Sequence, residues 1–163
     1  MKSGAIIRKA SKRDTRTIAR IYVTAAREAV EREPEHFRVP TMEEASRLFM
    51  PQDSPDAAVL VAEVDGRVAG FVQVLLRRAP EQPSMIRPRL LGYVRELGVS
   101  EDARGSGLGS RLMEAAEEWA CLAGAQAMMV DTGARNSQAQ RFYRERMGYR
   151  GYRGDSDQAV VLR

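Results

Sequence analysis

One run of sequence limits what this chain can become more than any other. From Leu90 to Ala123 it reads L-L-G-Y-V-R-E-L-G-V-S-E-D-A-R-G-S-G-L-G-S-R-L-M-E-A-A-E-E-W-A-C-L-A. Apolar residues at Leu90, Leu91, Tyr93, Val94, Leu97 and Val99 predict a strand. A polar turn (Ser100, Glu101, Asp102) follows, then Arg104-Gly105-Ser106-Gly107-Leu108-Gly109. Leu108, Leu112, Ala115, Ala116, Trp119 and Ala123 then recur at the spacing of one buried helix face. Strand, glycine turn and helix in that order make an anion site. The first helical amides have no intrahelical acceptor, and the peptide dipoles place partial positive charge there. Glycines let a phosphate approach that backbone closely. Arg104 adds a positive charge at the rim.

Several phosphate loops share this logic, and spacing separates them. The dinucleotide fingerprint needs G-x-G-x-x-G after a first strand, with an acidic residue about 20 positions on. Here the glycines are spaced G-x-G-x-G, past the middle of the chain. A Walker loop needs Lys and then Ser or Thr after its last glycine. Gly109 is followed by Ser110 and Arg111. The run Arg104-x-x-Gly107-x-Gly109, after a strand ending E-L-G-V, resembles the coenzyme A pyrophosphate loop of the GNAT superfamily of acyl-CoA-dependent N-acetyltransferases. The bland alternative is a glycine-rich connection with no ligand.

The chain has 163 residues, enough for a single domain over 1–163 and too few for two ordinary ones. With 44% hydrophobic and 29% charged residues, the composition is that of a folded globular protein rather than a disordered one. No apolar run approaches the ~20 residues that span a bilayer, and the N-terminus lacks a secretory h-region. A cytoplasmic location is the expectation. A single cysteine, Cys121, and a single histidine, His36, leave no disulfide and no ordinary metal site. Cys121 falls beside Ser110, Glu114 and Glu117, away from the apolar stripe. The net charge of +4 suits an anionic ligand, but the basic residues are dispersed, so nucleic-acid binding is disfavoured.

In chain order, residues 5–9 form a short strand. Ser11 to Asp14 can cap a helix carrying Ile18, Ile21, Tyr22, Ala25 and Ala29, which stops before Pro34. Residues 33–40 form a loop holding His36, and Thr41 to Glu44 has the pattern of a capping box for a helix to about Phe49. Strands are expected at 57–64 and 67–76 around the Asp65-Gly66 hairpin signal. Three prolines and four arginines between Arg77 and Arg89 predict irregular structure. After the glycine loop and its helix, Gly124 is a stop and 127–131 a buried strand. Asn136 caps a helix with Ala139, Phe142, Tyr143 and Met147 on its apolar side, ended by Gly148. Two last strands, 149–152 and 159–162, are joined by 154–157.

Asn136 to Tyr149, N-S-Q-A-Q-R-F-Y-R-E-R-M-G-Y, resembles a second GNAT motif, in which Asn opens a helix carrying F-Y and ending in a Gly-aromatic pair. With the element order, the resemblance implies an α/β (α+β) GNAT fold: a mixed, mostly antiparallel central sheet of about seven strands flanked by four helices. It implies acetyl-CoA as co-substrate, no metal, and transfer of an acetyl group to a primary amine of a small molecule or peptide. Tyr143 is then the general acid beside the departing sulfur. Glu96 is the candidate general base, with a surface ion pair to Arg95 or Arg89 as its alternative. Leu97, Gly98 and Val99 would meet the pantetheine arm like an added strand. Arg104, Gly105, Ser106, Gly107, Leu108, Gly109 and Ser110 would hold the pyrophosphate, and Asn136 would touch the arm as well as cap its helix. The acceptor would be selected by the loops at 34–40, 77–89 and 151–157, which carry both signs of charge. Dimerisation is common in the family, and no residue here demonstrates it. A non-catalytic CoA-binding sensor is the competing reading.

Overall fold

The computed structural model describes residues 4–133, 135–152 and 157–162, with backbone alone from residue 151 onward. Its order is β1 (Ile6–Lys9), α1 (Thr15–Arg32), α2 (Met42–Leu48), β2 (Ala57–Val64), β3 (Arg67–Ala79), β4 (Arg89–Val99), α3 (Leu108–Leu122), β5 (Ala127–Thr132), α4 (Ser137–Arg141), β6 (Arg150–Tyr152) and β7 (Asp157–Leu162). The strands lie in the order β1-β2-β3-β4-β5-β7-β6. Only β4 and β5 pair in parallel; the other neighbours are antiparallel. This is the mixed, mostly antiparallel sheet that the element order implied.

Local chemistry explains most of the punctuation. Asp65 and Gly66 both take positive φ (50° and 76°), as a tight hairpin turn between right-twisted strands requires. The Thr41 hydroxyl accepts from the Glu44 amide at 3.1 Å, and the Glu44 carboxylate accepts from the Thr41 amide at 2.7 Å. At the start of α1 the buried Asp14 carboxylate is held by Arg8 at 2.7 Å and by the Ser11 amide at 2.7 Å. The Arg8 guanidinium holds that carboxyl well below its usual range, at about 2.

Helices cover both faces. On one face, Leu108, Leu112, Met113, Ala116 and Ala120 of α3 bury against Val72, Val74, Val94, Met128 and Val130. On the other, Ile18 and Ile21 of α1 and Phe49 after α2 pack on Val61 and Phe71. Ala19 and Val23 lock α1 to Ala45 of α2. Each fully buried aliphatic side chain contributes ~1.5–3 kcal/mol of transfer free energy, so both layers are firmly seated.

Three expectations change. The buried side of α3 includes Met113, Glu117 and Ala120, whereas Ala123 is exposed and Ala115 and Trp119 are half-buried. Glu117 is tolerated inside because the Tyr149 hydroxyl donates to it at 2.9 Å. Residues 77–79 are strand, since their backbone pairs with residues 89–91 of β4; the irregular part of that connection is 80–88. The fourth helix is α-helical only over Ser137–Arg141 and then widens into a π-helical turn, Phe142–Arg146. The turn closes with the Met147 amide on the Phe142 carbonyl. The turn expected at 154–157 falls almost entirely outside the described residues.

Candidate active site

The site begins where two parallel strands part. β4 and β5 pair from Leu91↔Ala127 to Val94↔Val130 and no further. From Glu96 to Val99 strand β4 pairs only with β3, through Glu96↔Gln73, Leu97↔Val72, Gly98↔Phe71 and Val99↔Gly70. The edge of β4 over Leu97, Gly98 and Val99 that faces β5 is therefore unpaired by any strand and open to an extended ligand, with only the Val99 carbonyl touched, by Arg104. A bulge at Arg95 marks the parting: Val94 opposes Val74 and Glu96 opposes Gln73, leaving Arg95 without a cross-strand partner. Bulges bend a strand and re-aim its side chains. Here the bend brings Glu96 and Gly98 to the α1 side.

α1 crosses this opening. A Cβ on Gly98 would lie 2.7 Å from the Phe71 ring and 3.0 Å from Ile21, so glycine at 98 is what lets α1 settle on the strand end. Farther along, Glu28 pairs with Arg104 at 2.9 Å. Past the end of the helix, the Glu33 carboxylate lies against Gly133, where a Cβ would be 2.9 Å away. Arg135 donates to the Arg32 carbonyl at 3.3 Å. A cavity of about 300 Å³ lined by Arg20, Thr24, Val99, Ser100, Glu101 and Asp102 lies under the helix, beside the glycine loop.

The glycine loop has the geometry its composition demands. Gly105 (φ 76°) and Gly107 (φ 85°) are left-handed, which other residues adopt only under strain. Both face open space, with nothing within 4 Å of a built Cβ. Gly107 caps α3, so the amides of Leu108, Gly109 and Ser110 form its first turn and lack intrahelical acceptors. Ser106 Oγ donates to the Ala103 carbonyl and braces the loop. Arg104 is not the free rim cation that its position suggested. Its guanidinium is tied to Glu28 and, at 3.4 Å, to the Val99 carbonyl. Attraction for an anion falls mainly on the backbone amides.

The two catalytic candidates converge. Glu96 lies against α1, where the nearby Tyr22 side chain favours its charged form. Burial pushes this carboxyl up to about 7, partly opposed by Arg95 and Tyr22. Tyr143, at the start of the π-helical turn, is buried against Phe142 and Tyr149 with ring centroids at 5.1 and 5.7 Å. Burial, and then the Glu96 charge, raise its hydroxyl pKa, so it stays protonated at neutral pH. Phe142 ties the two motifs together, since its ring stands 3.5 Å from a Cβ built on Gly109. Asn136 Oδ1 accepts from the Ala139 amide at 3.1 Å and caps α4.

The residues that complete this wall were not singled out from sequence. In the sequence Tyr22 is one apolar-face residue of a helix among several. Tyr93 donates to Asp131 at 2.7 Å, and Arg77 stacks 3.7 Å above its ring. Burial and Asp131 push the Tyr93 hydroxyl up to about 12. Alternation along β3 and β4 could have grouped Gln73, Leu75 and Arg77 on one face, but not the helix that meets them.

This arrangement has counterparts. The profile of the acetyltransferase (GNAT) family matches residues 15–149. The chain belongs to the GNAT family of acetyltransferases. An uncharacterized N-acetyltransferase of Archaeoglobus fulgidus is 31% identical over 138 residues, covering 84% of this chain and 88% of that one. Among solved structures, a GNAT-family acetyltransferase from Streptococcus pneumoniae shares the fold at TM-score 0.67 and 22% identity, over 98% of this chain and 100% of that one. The protein yncA of Salmonella typhimurium, solved with its cofactor acetyl-CoA, does so at TM-score 0.70 and 18% identity, over 98% and 94% of the two chains. Among the described residues no helix is long and apolar enough to cross a membrane.

Proposed function

We propose that this GNAT protein is a single-domain acetyltransferase that moves an acetyl group from acetyl-CoA to a primary amine, by direct attack in a ternary complex. The observation that carries this reading is a half-buried, desolvated carboxyl, Glu96, within electrostatic reach of a protonated Tyr143 hydroxyl at the open edge of β4. The residues present fit the co-substrate. The open-faced glycines 105 and 107 and the first amides of α3 would hold the diphosphate, and the free edge of Leu97 to Val99 would pair with the amide-bearing arm. Bound there, acetyl-CoA supplies an acyl carbon activated by a thiolate leaving group.

The chain's own groups manage the protons. An alkylamine has a pKa of about 10.4, so at pH 7 it must lose a proton before it can attack. Moving that proton to an ordinary glutamate at about 4.3 is uphill by about 8 kcal/mol. Moving it to a carboxyl near 7 is uphill by about 4 to 5, at 1.36 kcal/mol per unit. Burial of Glu96 therefore removes a substantial share of the barrier and leaves the group ionised often enough to act. Tyr143 works in the other direction. With its pKa raised it is a poor source of a full proton, but it is a permanent hydrogen-bond donor to sulfur as negative charge develops there. The backbone amide near Leu97 would polarise the thioester oxygen.

The test is thiol release from acetyl-CoA against a panel of primary amines, with Tyr143→Phe alongside. A supported reading shows amine-dependent release that falls about ten- to a hundredfold in the variant, as loss of a hydrogen bond to a charged group predicts. Binding without release for any amine favours a sensor instead.

A further inference from the structure

Gln73 lies midway along β3, 8% exposed, with Glu96 as its partner across the sheet. Both side chains point to the α1–α2 side. Gln73 Nε2 donates to the Leu48 carbonyl at the end of α2 at 3.3 Å, and Tyr22 of α1 lies near Glu96. A carbonyl accepts only a donor, so Leu48 fixes the amide's orientation and turns Oε1 away from α2. That oxygen is sealed from solvent and has no hydrogen-bond partner. A buried acceptor left unpaired carries the full desolvation penalty of that group. Directly opposed residues on one sheet face have Cβ atoms about 4.5–5.5 Å apart, within reach for two long side chains. While Glu96 is ionised it can only accept; once protonated, it carries the O–H that Oε1 lacks.

We propose that Gln73 is a positioning residue whose Oε1 receives the hydrogen bond donated by the neutral Glu96 carboxyl, holding the proton that Glu96 takes from the acceptor amine. The catalytic half rests on reading Glu96 as the base. In that step an N–H bond of the amine breaks and an O–H bond forms on Glu96. The new hydroxyl turns to Gln73 and later returns its proton to water as Glu96 re-ionises. The charged and titratable groups around Glu96 are Arg95 beside it, Tyr22 from α1, Tyr143 from the π-helical turn, and Tyr93 with Asp131 and Arg77 behind it. Gln73 is neutral, so its influence comes through this bond alone. A bond to the neutral form disfavours ionisation, and its loss must lower the titration midpoint.

The experiment follows the Glu96 carboxyl by carbon NMR in the full chain labelled at glutamate side-chain carbons, with Glu96→Gln assigning the signal. The midpoint should fall by about one pH unit or more in Gln73→Leu. It should rise in Gln73→Glu, where two carboxyls share a proton. The acid limb of kcat/KM should move with it. Gln73→Met takes the place of the leucine variant if that one does not fold. A midpoint unchanged in both the apolar and the glutamate variants, with only the melting temperature altered, overturns the proposal. If Glu96→Gln keeps full turnover, the base reading fails, while the NMR midpoints still decide whether the two side chains pair.

Discussion

Strand β4 is two strands in one. From Leu91 to Val94 it is paired on both sides, to β3 and to β5, and Val94 is buried between α3 and the sheet. From Glu96 to Val99 it is paired on one side only, carries a carboxyl whose ionisation is suppressed, and leads into the glycine loop. A fully laddered half has no backbone left to offer a ligand, and apart from Tyr93 its side chains are judged by how they pack. The half-laddered end keeps unsatisfied amides and an awkward charge, both costly to the fold and useful to a reaction. The contrast implies that substitutions in the first half act on stability and those in the second on turnover.

The strongest challenge to that division is Glu96→Gln. Turnover should fall by 100-fold or more, as loss of a general base predicts. Wild-type kcat/KM should rise with pH through about 7 as the carboxylate forms. Stability should respond in the opposite sense. The folded-state pKa of Glu96 is raised, so its stabilising contribution is complete below the unfolded value near 4.5 and is lost as pH climbs through about 7. The variant should therefore be more stable than wild type at pH 8, by up to about 3 kcal/mol, with the gap closing by pH 4, read by chemical denaturation at both pH values. A variant less stable at pH 8 would assign Glu96 to structure.

Next in size is Gly107→Glu. Acetyl-CoA at 100 times its Kd should stabilise wild type by ~2.7 kcal/mol, and the variant should show no such shift in melting temperature. The complementary experiment is Val94→Ala in the closed half. Stability should drop by about 2 kcal/mol for the lost methyl groups and the cavity left behind, while kcat per folded molecule is unchanged. A large fall in kcat there would erase the distinction between the halves. The smallest effect is expected for Arg104→Gln. Its pair with Glu28 is partly exposed, and such pairs contribute under 1 kcal/mol. If the loop's attraction for phosphate lies in its amides, acetyl-CoA affinity should change by less than about tenfold in a thermal-shift titration.

The features readable from sequence are those decided within a few residues. Positive φ at Gly105 and Gly107, the Asp65-Gly66 hairpin and the Thr41–Glu44 box follow from local sterics and local hydrogen bonds. Glu96 and Tyr143 could be nominated because they sit at fixed offsets in motifs that mark a known family. What stayed hidden depends on the approach of distant elements. Glu28 neutralises Arg104 only because α1 crosses the end of β4, and Tyr22 reaches Glu96 for the same reason. Glu117 lies at a helix position that a periodicity count assigns to solvent, until Tyr149 arrives to pair with it. The π-helical turn at Phe142 was equally out of sight, since F-Y-R-E-R has no residue that forbids an ordinary helix.

The bulge at Arg95 has a further consequence. Side chains alternate along a strand, so one surplus residue sets the parity of everything beyond it. Were β4 ironed flat, Arg95 would stand opposite Gln73, and Glu96 would turn toward the greasy underside of α3. A guanidinium would then line the crevice that the proposed amine acceptor would enter. Whether this groove welcomes cations or repels them hangs on where the strand stows a single supernumerary amino acid.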